Sequence, residues 1–216
     1  MLSLSEALRS RASGWRERTE GLAAVAAALS VRGWLPATAG NFSTRVGARE
    51  VAITVSGRDK RRLGADDFVT VGLDGEVIKG SGRPSAETEL HLQLYRHDPA
   101  VGAVLHTHSP NQTIAGRLLA RDGVIRLQNY ELLKALPGVA THATAIELPV
   151  VSNSQDMDEI AGIVGRWLEH GLGPPGYLIQ DHGIYAWGAD TGAALRHLET
   201  LDFLLGCEIE LHRHRQ

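Results

Sequence analysis

Tyr177-Leu-Ile-Gln-Asp-His-Gly-Ile-Tyr-Ala-Trp187 holds two short apolar runs, Tyr177–Gln180 and Ile184–Trp187, separated only by Asp181-His182-Gly183. Short runs of β-branched and aromatic residues bounded by Gly and Asp are strand signals, and so tight a connection folds the second strand back on the first. A second pair of extended runs, Phe68–Val71 and Glu76–Ile78, flanks Asp74-Gly75, a favourable hairpin turn. Two hairpins make the sheet at least partly antiparallel.

Working outward, Gly102-Ala-Val-Leu-His106 reads as a buried strand. Phe42–Val46 and Val51–Val55 are strands joined through Gly47, and Ala145–Val150 is another. Helical periodicity runs from Ser3 to about Val31, with Leu22, Val25, Ala26 and Leu29 on one stripe, and Gly33, Pro36 and Gly40 stop it. Further helices are expected over Ala86–Arg96 behind a Ser85 cap, from Pro110 to Leu119, and over Tyr130–Leu136 up to Pro137-Gly138. Met157–His170 follows, and Thr191 to about His212 turns Leu195, Leu198, Leu201, Leu204 and Leu205 inward. Helices and strands mix without repeat or linker, which suits an α/β class.

The 216 residues suit one compact domain, which buries roughly 70% of its unfolded surface and folds without a disulfide or structural metal. A metal in such a chain serves chemistry. The net charge of −3 gives no basic field for nucleic acid or anionic lipid. Cys207 is the only cysteine, which excludes an intrachain disulfide and fits a reducing, cytoplasmic location. Residues 1–18 lack the pattern of a signal peptide, and no apolar run approaches the ~20 residues of a membrane span.

His106-Thr107-His108 carries the first chemical signal. On an extended chain, residues two apart point to one side, so both imidazoles can converge on one ion. Taken alone, the pair is better read as two surface or hydrogen-bonded histidines. His182 changes that reading, because the tight Asp181-His182-Gly183 connection projects a third imidazole from the sheet edge. Three protein ligands and an open position are the usual catalytic zinc arrangement. Asp181 either orients His182 or closes an Asx-turn.

These pieces, with Gly82-Arg-Pro-Ser-Ala-Glu87, resemble the class II aldolase/adducin family. So do Pro36-Ala-Thr-Ala-Gly-Asn-Phe-Ser43, Ile53-Thr-Val-Ser-Gly57, Pro84-Ser-Ala-Glu-Thr88 and His182-Gly-Ile-Tyr-Ala-Trp-Gly188. The likeness runs from about Arg32 to the final helix. It implies one domain over residues 1–216, an α/β/α three-layer sandwich around a mainly antiparallel central sheet, and a homotetramer with sites between subunits.

The resemblance makes His106, His108 and His182 the ligands of one Zn2+ per subunit, although three imidazoles also suit iron, cobalt or manganese. It assigns Gly40, Asn41, Ser56, Gly57 and Ser85 to loops that hold a substrate phosphate. Small hydroxyl and amide side chains beside glycines, with a helix starting near Ser85, agree with that role. Glu87 matches the acid/base glutamate of the family's aldolases, and Glu131 matches that of its dehydratase branch. Lys134, one turn on, pairs with Glu131 or steers an anion. The implied reaction is zinc-dependent dehydration of a phosphorylated keto sugar. The alternatives are an aldolase or epimerase using Glu87 and, less favoured, an adducin-like binding module.

Other features read as inert. His91 and His97 are expected at the surface, and His142 near the mouth of the site. Arg58, Lys60, Arg61 and Arg62 read as a solvated face, with Lys60 a weak candidate for the phosphate. His212-Arg-His-Arg215 reads as a helix end whose basic residues favour the C-terminal dipole.

Overall fold

A computed structural model describes residues 4–171 and 173–215, with side chains from Gly14 onward. Among the described residues, nine strands form one sheet: β1 Asn41–Gly47, β2 Glu50–Thr54, β3 Phe68–Gly72, β4 Val77–Lys79, β5 Ala103–Thr107, β6 Val124–Gln128, β7 Ala145–Val151, β8 Gly176–Ile179 and β9 Gly183–Gly188. Their order is β4-β3-β2-β1-β5-β9-β8-β7-β6. Only the β7–β8 pair is parallel, so the expected mainly antiparallel sheet is present.

Five α-helices cover the sheet: α1 Leu4–Val31, α2 Thr88–His97, α3 Pro110–Leu119, α4 Met157–Glu169 and α5 Thr191–His214. The period-two alternation of each strand sends side chains to two cores. On one face Ala103, Leu105, Ile184 and Ala186 pack with Leu22, Ala26 and Leu29 of α1, Ala115 of α3 and Leu198, Leu201 and Leu205 of α5. On the other face Val51, Ile53, Val104 and Tyr185 pack with Leu90 and Leu94 of α2 and Ile160 and Val164 of α4. The result is the three-layer sandwich. Among the described residues, no helix is long and apolar enough to cross a membrane.

Several expectations are corrected. The α2 helix begins at Thr88 rather than Ala86, and Ser85 is not its N-cap. Ser85 instead closes a turn: its carbonyl accepts from the Thr88 N–H at 3.1 Å and its Oγ from the Glu87 N–H at 3.3 Å. Residues Glu131–Ala135 form a 3-10 turn. Lys60 leaves the expected solvated face. It is buried and donates to the carbonyls of Val55 and Arg58 at 3.4 and 2.8 Å. Strand β6 was not anticipated. Its partner β7 lies far along the chain, and it pairs with β7 alone at the sheet edge.

Candidate active site

The site grows from the end of β5. Ala103 and Leu105 enter the α1/α3/α5 core and Val104 the opposite one. His106 therefore faces the α2 side, where it stacks on its cross-strand neighbour Tyr185 with ring centroids 4.2 Å apart. His108 projects to the same side, its ring 4.5 Å from that of His106. The turn between β8 and β9 brings His182 to 5.1 Å from His106 and 4.7 Å from His108. One ligand atom from each of the three lies within 4.8 Å of the others, so the triad is a candidate metal centre.

Two glycines permit this closeness. A Cβ on Gly183 would stand 2.2 Å from the Thr107 carbonyl oxygen, and one on Gly40, at φ +95°, 2.7 Å from that of His106. On the far side of the triad, Ser109 caps α3 directly after His108, its Oγ accepting from the Gln112 N–H at 3.1 Å.

The donor set fits a metal. His106 Nε2 and His182 Nδ1 are buried with no hydrogen-bond partner, an arrangement that is costly for idle imidazoles. His106 Nδ1 donates to the Ile184 carbonyl at 2.9 Å, which fixes the tautomer and leaves Nε2 its lone pair. Burial, opposed by Glu87, holds His106 down at about 4. Burial together with His106 and His182 holds His108 at about 3. Both rings are neutral near pH 7, the form that binds metal. Asp181 does not orient His182. It sits at φ 57° and pairs with Arg117 at 2.8 Å, turned towards solvent.

Glu87 closes the pocket, with Oε2 3.3 Å from His106 Nε2 and Oε1 3.5 Å from His182 Nε2. Its Oε2 accepts from Asn41 Nδ2 at 2.9 Å and from the Tyr185 hydroxyl. Burial pushes this carboxyl up, but His106, Tyr185, Asn41 and His182 together outweigh it and hold the group at about 2.

Cross-strand bonds gather the loops expected to hold phosphate. Ser56 N–H donates to Arg83 at 2.9 Å and Ser85 N–H to Thr54 at 3.2 Å, so Ser56-Gly57 lies beside Ser85, two residues before Glu87. Asn41 joins them through Glu87, and its amide is already committed to Glu87 and His91.

Glu131 is placed differently. Its side chain is 69% exposed and pairs with Lys134 and, at 3.5 Å, with His142, not with the triad. Lys134 holds its carboxyl below the ordinary glutamate range.

Sequence reasoning missed several supports of the site. His91 is fully buried rather than at the surface, Tyr185 touches both His106 and Glu87, and Asp202 of α5 bonds the cap of α3. A histidine flanked by Leu90 and Leu92 was the available hint for the first. A lone Asp on a leucine-rich helix gave none for the last.

Comparison with known proteins extends this picture. The class II aldolase and adducin N-terminal domain matches residues 20–209. Methylthioribulose-1-phosphate dehydratase of Xanthomonas campestris pv. campestris (strain 8004) is 55% identical over 183 residues, 85% of this chain and 84% of that protein. The enzyme of that name from Stenotrophomonas maltophilia (strain R551-3) is 54% identical over 187 residues, 87% of each. Among solved structures, YgbL from Escherichia coli superposes with a TM-score of 0.77 at 23% identity, over 91% of this chain and 90% of that one. L-fuculose-1-phosphate aldolase from Thermus thermophilus does so with a TM-score of 0.71 at 24% identity, over 91% and 95%. The structural likenesses establish the fold. The match along most of the sequence places this chain in the class II aldolase and adducin family.

Proposed function

We propose that this chain is a zinc-dependent dehydratase that converts methylthioribulose 1-phosphate to its 2,3-diketo product, a step of methionine salvage. The observation that carries the reading is an intact triad, His106, His108 and His182, closed over by Glu87, in a chain 55% identical to a relative of that name. An adducin-like module has no need to keep three converging imidazoles with orphaned nitrogens.

When bound, the metal supplies Lewis acidity, polarising the substrate carbonyl so that the adjacent C–H loses its proton more readily. The three histidines would hold it, with the tautomer of His106 fixed by the Ile184 carbonyl. Glu87 faces two of them and shapes the pocket. Ser56, Gly57 and Ser85, with the Gly40-Asn41 turn, receive the phosphate through the serine hydroxyls and backbone N–H groups other than those of Ser56 and Ser85, which bond Arg83 and Thr54, and Lys134 draws the anion in. Glu131 takes the proton from C3 and passes it to the hydroxyl that leaves C4 as water.

That last role requires Glu131 to reach the triad of a neighbouring copy. Its exposure, and its pairing with only Lys134 and His142 among the described residues, leave it open to a second copy, in keeping with the proposed homotetramer with sites between subunits; each chain is proposed to act as a single domain over residues 1–216 in the cytoplasm. One feature favours a second reading. Glu87, not Glu131, lies beside the triad within one chain, as an aldolase using Glu87 requires.

Assaying the purified protein on methylthioribulose phosphate, fuculose phosphate and ribulose phosphate decides between the readings. Dehydration of the first, with no carbon–carbon cleavage of the others, is the expected result. Cleavage of either of the others, without dehydration of the first, establishes the aldolase reading.

A further inference from the structure

Glu87 is one end of a buried chain of hydrogen bonds whose inner members lie away from the triad. Asn41 Nδ2 donates to Glu87 Oε2 at 2.9 Å, and Asn41 Oδ1 meets His91 Nε2. His91 Nδ1 lies 2.7 Å from Ser43 Oγ, which lies 2.9 Å from the Tyr95 hydroxyl. His91 and Ser43 are 0% exposed, Tyr95 1% and Asn41 6%, so water cannot substitute for a missing partner.

The chemistry of each group fixes the direction of the whole chain. Glu87 Oε2 already accepts from Tyr185, so Asn41 must present its NH2 to it and its carbonyl oxygen to His91. His91 must then carry its hydrogen on Nε2. Its Nδ1 keeps a bare lone pair and accepts the one hydroxyl hydrogen of Ser43, and Ser43 accepts from Tyr95. Burial keeps His91 neutral, at about 3, so the ring has one donor and one acceptor. The opposite tautomer would turn the Asn41 carbonyl towards the carboxylate, lone pair against lone pair.

We infer that His91 is a positioning residue: its Nε2–H tautomer, set by Ser43, selects the Asn41 amide orientation that holds the Glu87 carboxylate against His106 and His182. It acts on the metal pocket through two intermediaries. The assignment holds whichever carboxylate moves the proton, so it survives or fails independently of the dehydratase reading.

Two measurements test it. In the zinc-loaded wild-type protein, long-range 1H–15N correlation should show His91 as a single neutral ring protonated at Nε2 from pH 6 to 8. A ring protonated at Nδ1, or a mixture of tautomers, overturns the inference. The second is zinc affinity by chelator competition. Removing a group that orients a metal pocket from outside typically weakens binding about 10- to 100-fold. His91→Leu, apolar and of similar bulk, should fall in that range. His91→Gln, whose amide N–H can replace Nε2–H towards Asn41, should stay within about threefold of wild type. Equal losses in both variants mean that His91 serves packing alone, and no loss in either means that Asn41 needs no partner; both results overturn the inference. Should His91→Leu fail to fold, the tautomer measurement still decides.

Discussion

Replacing Asp202 asks whether one carboxylate on α5 holds the ligand-bearing end of β5. Its oxygens accept from Ser109 Oγ, from Gln112 Nε2 at 2.8 Å and from Asn111 Nδ2 at 3.3 Å. Gln112 Oε1 in turn accepts from Thr107 Oγ1 at 2.8 Å and from the Ser109 N–H at 2.9 Å. Thr107 and Ser109 flank His108, so the network fixes the chain on both sides of a metal ligand. Asp202→Ala strands three donors. Asn111 lines an open groove along α5 and can turn to solvent. Ser109 and Gln112, 1% and 0% exposed, cannot. Each stranded buried donor costs about 1–3 kcal/mol, so the loss should be roughly 2–6 kcal/mol and near 4. Asp202→Asn keeps the shape. Its carbonyl oxygen takes Ser109 and Gln112, and its NH2 faces Asn111, whose amide can turn to accept. That variant should lose only about 1 kcal/mol, the charge-assisted part of the bonds. Urea unfolding of the metal-free proteins measures both, since bound metal would add its own stability. An alanine variant within about 1 kcal/mol of wild type, or alanine and asparagine variants equally stable, refutes the reasoning.

His108→Ala should abolish metal binding while the protein stays folded on its two cores; full zinc occupancy by elemental analysis would remove His108 from the ligand set. Glu131→Gln should lower kcat by about 10²- to 10⁴-fold with KM and zinc content little changed, and Glu87→Gln should cost less; steady-state kinetics giving the reverse ranking points to aldolase-type use of Glu87. Mixing His108→Ala with Glu131→Gln subunits should restore activity above that of either variant alone if sites lie between copies, and no recovery in co-expressed assemblies excludes that arrangement. His91 titrates at about 3 when folded against about 6.5 unfolded, so the unfolded chain takes the proton first on acidification. Stability present above pH 6.5 is therefore lost as pH falls towards 3, amounting to about 2 kcal/mol at pH 5, and the urea midpoint of His91→Gln should fall less between pH 7.5 and 5.

Much of this was legible because local periodicity carried it. The hairpins at Asp74-Gly75 and Asp181-His182-Gly183 form antiparallel pairs, and period two puts both ligands of His106-Thr107-His108 on one side of β5. Strand β6 showed the right alternation, with Ile125 and Leu127 inward and Arg126 and Gln128 outward, but between Gly123 and Asn129 it was short enough to pass for loop. The parallel β7–β8 pair has no local signature, because its register is set through the intervening α4. His91 shows the deeper limit. Every residue of α2 from Leu90 to Tyr95 is buried, since the sheet covers one side and α4 the other. Within such a helix a polar side chain looks like a surface residue until its partners are known. Those partners, Asn41 and Ser43, come from a strand nearly fifty residues earlier.

The two glutamates show what a single chain of this fold lacks. A general acid needs its pKa near the working pH, which for a carboxyl requires burial or a like charge. Glu87 is buried, yet hydrogen-bond donors and two imidazoles converge on it and keep it at about 2, so it holds no proton to give near pH 7. Glu131 is exposed, and Lys134 draws it below the ordinary range, so in one isolated chain it too is a poor acid. On the dehydratase reading, the arrangement would become competent once another copy covered Glu131. Desolvation then opposes the pull of Lys134, and the carboxyl rises towards the range where it can carry a proton to a leaving hydroxyl. On this argument assembly supplies both proximity and proton affinity. The dehydratase reading therefore ties activity to subunit association, whereas chemistry resting on Glu87 has its triad and its carboxylate within one chain.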